Sequence, residues 1–447
     1  MNTSFHFKYT RQALGIFIVF MGPPLIFFFK EMLGFSGGST FTLVSYGLGL
    51  LLMISSDDIF KKLYKPNFPM YRLAAIYMGV IIFNYFFANP YWGWSGDRSI
   101  FYRDFGNYIL IFAFFFMLIS VSNEVTEYFV PMVVVLTFLG SICLIYSMKT
   151  NPNFVIGQRA TVVFGDGSTT ASGNPHVYAR NAFAGIFASY IMLKSKKTLW
   201  KVFSLTNIVL SVVVLIMTQA RSILLGFIFT LFIFLYYNVS AKTIKKGIIS
   251  LTKPRNIALI TLLFTGVIYF ISTQTKLVAI INLYYDGFLG NFSNALLTAT
   301  GQQTVKTIDY SSLGRVNNFA IFKKALFEEP YSLILGKGYK FLYMDIPILQ
   351  PLIDCGIIAF LSFATLNWMI FKESLKVIRN QTSPFTMFLG YFYMCYFVTL
   401  FTGGEPYGIY YWFVFAIMIR FLGIKYIKKI PVPFKKKLPV SSPAISV

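Results

Sequence analysis

Long apolar runs decide what this chain can fold into. Stretches of roughly 17 to 26 residues with almost no charge lie at 12–29, 39–56, 72–88, 105–122, 128–148, 175–193, 200–217, 222–238, 256–273, 346–371, 385–402 and 407–423. A helix rises about 1.5 Å per residue and the hydrocarbon core is about 30 Å thick, so each run is long enough to cross a bilayer. With 56% hydrophobic, 19% aromatic and only 12% charged residues in 447, the chain carries too little charge to cover that surface in water. The expected fold class is an all-α polytopic integral membrane protein of about twelve spans. Lys8 and Arg11 precede an apolar run at the N-terminus, but Pro23-Pro24 and the lack of a small-x-small site favour a first span over a cleaved signal peptide.

The net charge of +23 would point to nucleic acid in a soluble protein, so the placement of the basic residues matters. With the N-terminus cytoplasmic, the clusters Lys61/Lys62/Lys65/Arg72, Lys194/Lys196/Lys197/Lys201, Lys242/Lys245/Lys246/Lys253/Arg255 and Lys372/Lys376/Arg379 all fall on the cytoplasmic side. The tail from Lys425 to Lys437 continues the pattern, so both termini are expected inside. The excess charge then reads as a topology signal facing anionic membrane lipids, and nucleic acid is not needed as a partner. Cys143, Cys355 and Cys395 each lie in an apolar run and read as packing residues.

The expected domains are spans one to nine over 1–273, a large outer loop over 274–345, spans ten to twelve over 346–424 and a basic tail over 425–447. Shorter outer segments run from Asn89 to Asp104 and from Lys149 to Asn174. In the large loop, Val316, Phe319, Ala320, Leu326 and Phe327 recur at helical spacing between Ser311/Ser312 and Pro330. That pattern predicts a short amphipathic helix lying on the membrane or covering a cavity.

Charges at membrane depth are costly, so those outside the cytoplasmic clusters are the first functional suspects. Asn174-Pro175 reads as a cap and first helical turn, with His176 and Arg180 four residues apart on one face. Arg180 has two structural readings, a buried salt bridge or a snorkelling chain, beside a functional one as an anion contact. Arg221 opens the eighth run, where a guanidinium and free helical N–H groups suit a phosphate; otherwise it anchors the interface. Arg315 lies in the first turn of the loop helix, unfavourable beside the positive dipole end unless an anion is present. Gly336-Lys337-Gly338 lacks the spacing of a nucleotide loop and reads as a tight turn, with Lys337 an anion contact. Asp345 is either the cap of the tenth span or a general base, and Asp354 is free to pair with a buried arginine. With two histidines and no clustered cysteine or carboxylate ligands, neither a metal site nor a Ser-His-Asp triad is expected, and no cofactor is called for.

The order of these features resembles the O-antigen polymerase and ligase superfamily, the Wzy-type and WaaL-type membrane glycosyltransferases. Three segments carry the likeness: Ala220-Arg221-Ser222 with Leu224, Leu225 and Gly226; Ser312-Leu313-Gly314-Arg315 with Phe322, Ala325, Leu326, Pro330, Gly336 and Gly338; and Asp345, Leu349, Gln350, Leu352, Asp354, Gly356 and Ile357. Ligases of the family usually carry a histidine-asparagine pair where this chain has Asp345-Ile346, which favours a polymerase. The resemblance implies a GT-C-like architecture with a large periplasmic loop between helices nine and ten. It also implies a bacterial inner-membrane enzyme that needs neither metal nor nucleotide and polymerises undecaprenyl-diphosphate-linked repeat units at the periplasmic face. By the same resemblance Asp345, Arg221 and Arg315 are catalytic, and Arg180, His176, Lys337 and Arg159 bind the diphosphate or glycan. The partners implied are lipid-linked donor and acceptor glycans, membrane lipids and a chain-length regulator protein. A ligase differs only in its acceptor; a lipid-oligosaccharide flippase, the reading from another class, would be expected to show internal repeats, and none is found.

Overall fold

The structure, a computed structural model, describes residues 7–35, 40–54, 63–89, 98–162, 164, 174–239, 275–300, 302 and 310–424, with scattered positions between 254 and 273. Among the described residues there is no strand, and helices account for nearly all regular structure. They are α1 (Phe7–Met21), α2 (Pro23–Met32), α3 (Thr40–Met53), α4 (Phe68–Phe87), α5 (Arg98–Ser120), α6 (Val125–Thr150), α7 (Pro175–Met192), α8 (Thr198–Thr218) and α9 (Arg221–Asn238). Then follow α10 (Thr275–Ala299), α11 (Tyr310–Phe327), α12 (Ser332–Leu335), α13 (Gln350–Asn380), α14 (Pro384–Thr399) and α15 (Ile409–Phe421).

The bundle is apolar on its outer face and sets polar groups between its helices within an apolar core, the arrangement a bilayer demands. On α8, Leu199, Val202, Leu205, Val209, Val213 and Ile216 recur every three or four residues and are exposed, while Ser204, Asn207, Ser211 and Thr218 are buried. Asn207 Nδ2 donates to Val134 O (3.2 Å), Thr137 Oγ1 (3.2 Å) and Ser189 Oγ (2.9 Å), tying α8 to α6 and α7. In water that helix would present its greasy face to solvent; in lipid, small and hydroxylated residues become the glue between helices. Gly185 lets α7 approach so closely that a Cβ there would stand 2.6 Å from Ser211 Oγ. This is the fold of a helical membrane protein.

Among the described residues, six helices are long and apolar enough to cross a membrane: α4, α5, α6, α8, α9 and α13. The expectation of twelve continuous spans is therefore met only in part. The first run is split: Pro23 and Pro24 follow Gly22, remove two backbone donors and turn α2 79° away from α1, so the pair makes at most one broken span. The second and last runs form shorter apolar helices, α3 and α15. The run at 256–273 lies largely outside the described residues, as does the tail at 425–447. α7, α14 and α15 are buried along most of their length, forming the middle of the bundle behind the lipid-facing ring. The tenth run starts at Gln350, later than expected, and its helix is broken at Gly356 (φ 85°, ψ −175°), where a Cβ would stand 2.3 Å from Ile334 O.

Over 274–345 the chain is more helical than expected, because α10 precedes the amphipathic helix. α11 starts at Tyr310, so Ser311 and Ser312 fall inside it and do not precede it as caps. Its buried residues are Phe322 and Ala325, which join Leu333, Met344, Leu352 and Ile353 in a small core apart from the main one. The apolar stripe of Val316, Phe319, Ala320, Leu326 and Phe327 is exposed on the protein surface.

Candidate functional site

α7, α9 and α13 run the same way. Their C-terminal ends meet where Lys194 Nζ donates to Gln381 Oε1 (3.5 Å) and Gln381 Nε2 to Asn238 Oδ1 (2.7 Å). The lysines and arginines that follow α7 and close α13 are therefore at one end of the bundle. At the other end a cavity of about 990 Å³ opens, lined by the starts of α7 and α9, the start of α5, α2, and the loops before α13 and α15. Five cations, Lys30, Arg103, Arg180, Arg315 and Lys340, and three carboxylates, Asp104, Asp345 and Glu405, face it, with tyrosines on its walls. The cations are in excess.

Asp345 does not cap α13; the cap position is Leu349, and the expectation of an N-cap is corrected. Its backbone is left-handed (φ 55°), which turns the carboxylate into the cavity. Arg315 donates to Asp345 Oδ2 through Nε (2.7 Å) and Nη2 (2.6 Å), while Tyr343 OH (3.1 Å) and the Gly404 N–H (3.2 Å) donate to Oδ1. The cation that looked misplaced at the start of α11 is thus matched by this carboxylate. These four donors fill the carboxylate's lone-pair sites, so a substrate hydroxyl reaches it by displacing one of them.

A second ion cluster lines the same cavity. Lys340, also left-handed (φ 53°), donates to Asp104 Oδ2 (2.7 Å) and Glu405 Oε1 (2.7 Å), and Arg103 stands 3.7 Å from Asp104. Tyr339 OH donates to Asp104 Oδ2 (3.2 Å) and shares a hydrogen with Tyr108 (2.7 Å). Burial, together with neighbouring Tyr108 and Asp104, pushes the Tyr339 hydroxyl well above its usual range, so it stays a donor.

Arg180 has no carboxylate partner among the described residues. Its Nε donates to His176 O (3.2 Å) and its guanidinium lies 5.1 Å from the centre of the Tyr410 ring. Neither expected structural role accounts for it: it is not salt-bridged, and it is directed into a cavity inside the bundle. His176 Nδ1 is 3.2 Å from Ser222 Oγ, which joins the starts of α7 and α9.

The remaining expected residues fall elsewhere. Arg221 begins α9 but does not line the cavity, although Ser222 and Ile223 do. Arg159 stands on a segment held to α8 by the Ala160 N–H to Met217 O bond (2.9 Å), also outside the lining. Lys337 pairs with Glu329 (2.6 Å), and that ammonium holds the Glu329 carboxyl below the usual carboxylate range. Gly336 and Gly338 form the turn, both at positive φ, with Lys337 N–H to Ile353 O (2.7 Å) and Gly338 N–H to Asp354 O (2.9 Å) docking it on the α13 break. Asp354 is not paired with an arginine: the Leu342 N–H, Gln350 Nε2 and Tyr407 OH donate to it at 3.2, 3.1 and 3.0 Å.

Sequence reasoning missed Lys30, Arg103, Asp104, Lys340 and Glu405. Glu405 was visible as an acid in the turn Gly403-Gly404-Glu405-Pro406 between apolar runs, and Asp104 as an acid at the edge of one. Lys30 was hidden at the margin of the first run. No protein-family model matches the chain, and no curated protein matches it.

Proposed function

We propose that the protein is a membrane glycosyltransferase of the O-antigen polymerase type. It would join undecaprenyl-diphosphate-linked repeat units at the periplasmic face of a bacterial inner membrane, with both termini cytoplasmic. The observation that carries this reading is the cavity: an arginine with no carboxylate partner among the described residues and a carboxylate held by an arginine share one chamber, at the bundle end opposite the basic clusters. By the positive-inside rule that end faces out.

In this reading Arg180 receives the donor diphosphate, beside Ser222 at the start of α9. Asp345 accepts the proton of the acceptor hydroxyl as that oxygen attacks the anomeric carbon. The bond from that carbon to the diphosphate oxygen breaks, and the cations offset the charge the leaving group gains. Arg315 holds Asp345 in place, and a shift of Arg315 toward the diphosphate would free the carboxylate as charge develops. The tyrosines of the wall offer flat, hydroxyl-edged surfaces for sugar rings.

A second reading has one observation in its favour. The 79° break between α1 and α2 and the non-helical Gly356 are discontinuities of the kind carriers use, which suits a flippase for the same lipid-linked glycan. Incubating the purified protein with a lipid-linked repeat unit, without nucleotide or metal, separates the two. A ladder of longer glycans supports the polymerase; unchanged substrate that has crossed a vesicle membrane supports the carrier.

A further inference from the structure

Lys30 is only 6% exposed, yet it lines the cavity and, among the described residues, its side chain takes part in no ion pair and no hydrogen bond. An ammonium held on an otherwise buried side chain at a cavity wall without a counter-charge is costly, and the cavity is where an anion could reach it. Glu31 follows it in sequence but points about 100° further round the helix. Apart from Arg180, the other cavity cations are accounted for: Arg315 by Asp345, and Lys340 and Arg103 by Asp104 and Glu405.

The broken helix gives Lys30 its place. Pro23 and Pro24 border a small hollow shared with Arg180, and α2 runs from there for seven residues, about 10 Å, to Lys30. The two unmatched cations thus stand at different stations along α2. Phe27, one turn before Lys30 on the same face, also lines the cavity, as does Thr42 of α3. An aromatic face, a hydroxyl and an unpaired ammonium together suit an acidic sugar ring or a phosphate.

We propose that Lys30 is a substrate-binding residue that pairs with an anionic group at a subsite distinct from Arg180; this rests on the reading that the cavity takes a lipid-linked glycan. A sugar carboxylate and a lipid phosphate offer the same chemistry, and the test separates them. Full-length protein in nanodiscs is titrated with digalacturonate against digalactose, and with geranylgeranyl diphosphate against geranylgeraniol. The wild type should bind at least one anionic probe about tenfold more tightly than its neutral counterpart. Lys30→Gln should lose most of that preference, and Lys30→Arg should keep it. Loss on digalacturonate assigns the subsite to the glycan, and loss on the diphosphate assigns it to the lipid. A wild type without anion preference, or a folded Lys30→Gln that retains the full preference for both probes, overturns the proposal. Should the protein bind anions through Lys30 yet build no ladder from lipid-linked repeat units, the glycosyltransferase reading fails and the subsite stands.

Discussion

Replacing Arg315 with glutamine removes the guanidinium that meets Asp345 Oδ2 twice, at 2.6 and 2.7 Å. The two side chains are 33% and 19% exposed, so the pair lies between a surface ion pair and a buried one. Exposed pairs contribute about 0–1 kcal/mol, and breaking fully buried ones costs about 3–5 kcal/mol. A coupling of about 1–2 kcal/mol is expected from a double-mutant cycle of Arg315→Gln and Asp345→Asn, read by unfolding in detergent. Tyr343 and the Gly404 N–H still hold the other oxygen, so the loop should stay folded in either single variant. The effect on turnover should be far larger: losing a general base costs about 100-fold or more. Asp345→Asn should therefore lose polymer formation to that degree, and Arg315→Gln to a comparable one. Because the two act as a unit, the double variant should fall no further than Asp345→Asn alone. Glycan ladders from purified variants, quantified against time, give the rates. Asp345→Asn within a few-fold of wild type, or losses that multiply in the double variant, would refute a carboxylate base positioned by Arg315.

Arg180→Gln should raise the KM for the lipid-linked donor about tenfold, the size of one lost charge-assisted contact, whereas Arg221→Ala, outside the cavity lining, should retain a reduced ladder. Kinetics with both purified variants decide this, and equal loss in the two would contradict the placement. Lys337→Gln should leave turnover unchanged, since its ammonium is spent on Glu329. Because Glu329 is held below its usual pKa, the pair's contribution to stability is present above the ordinary carboxylate range and lost on acidification. Thermal unfolding of wild type and Lys337→Gln should accordingly converge as pH falls. Gly356→Ala forces a side chain into positive φ against Ile334 O, a strain of about 1–3 kcal/mol. It should lower the unfolding temperature, while Gly79→Ala, with open space at its Cβ, should not.

The membrane class was legible because apolar length is a one-dimensional property: α6 and α8 need only be long and uncharged to declare themselves. Helix breaks were less legible. Pro23-Pro24 was visible but was weighed only against a signal peptide, and nothing local distinguishes Gly356, which breaks α13 by packing against Ile334, from a glycine such as Gly79. His176, Arg180, Arg315 and Asp345 were found because each charged or polar group sits where an apolar run begins. Their convergence was not legible, since Arg315 and Asp345 meet through a left-handed residue and a separate small core. The same holds for Lys340, whose two carboxylate partners come from α5 and from the loop before α15.

The cavity at the starts of α7 and α9 is where the lipid diphosphate would bind. A photoreactive undecaprenyl diphosphate analogue, cross-linked to the protein in membranes and mapped by mass spectrometry, tests it directly. Adducts on peptides carrying Phe27, His176, Ser222 or Tyr410, competed by unlabelled lipid and weakened in Arg180→Gln, are the expected result. Adducts confined to the lipid-facing stripe of α8, unaffected by Arg180→Gln, would contradict it.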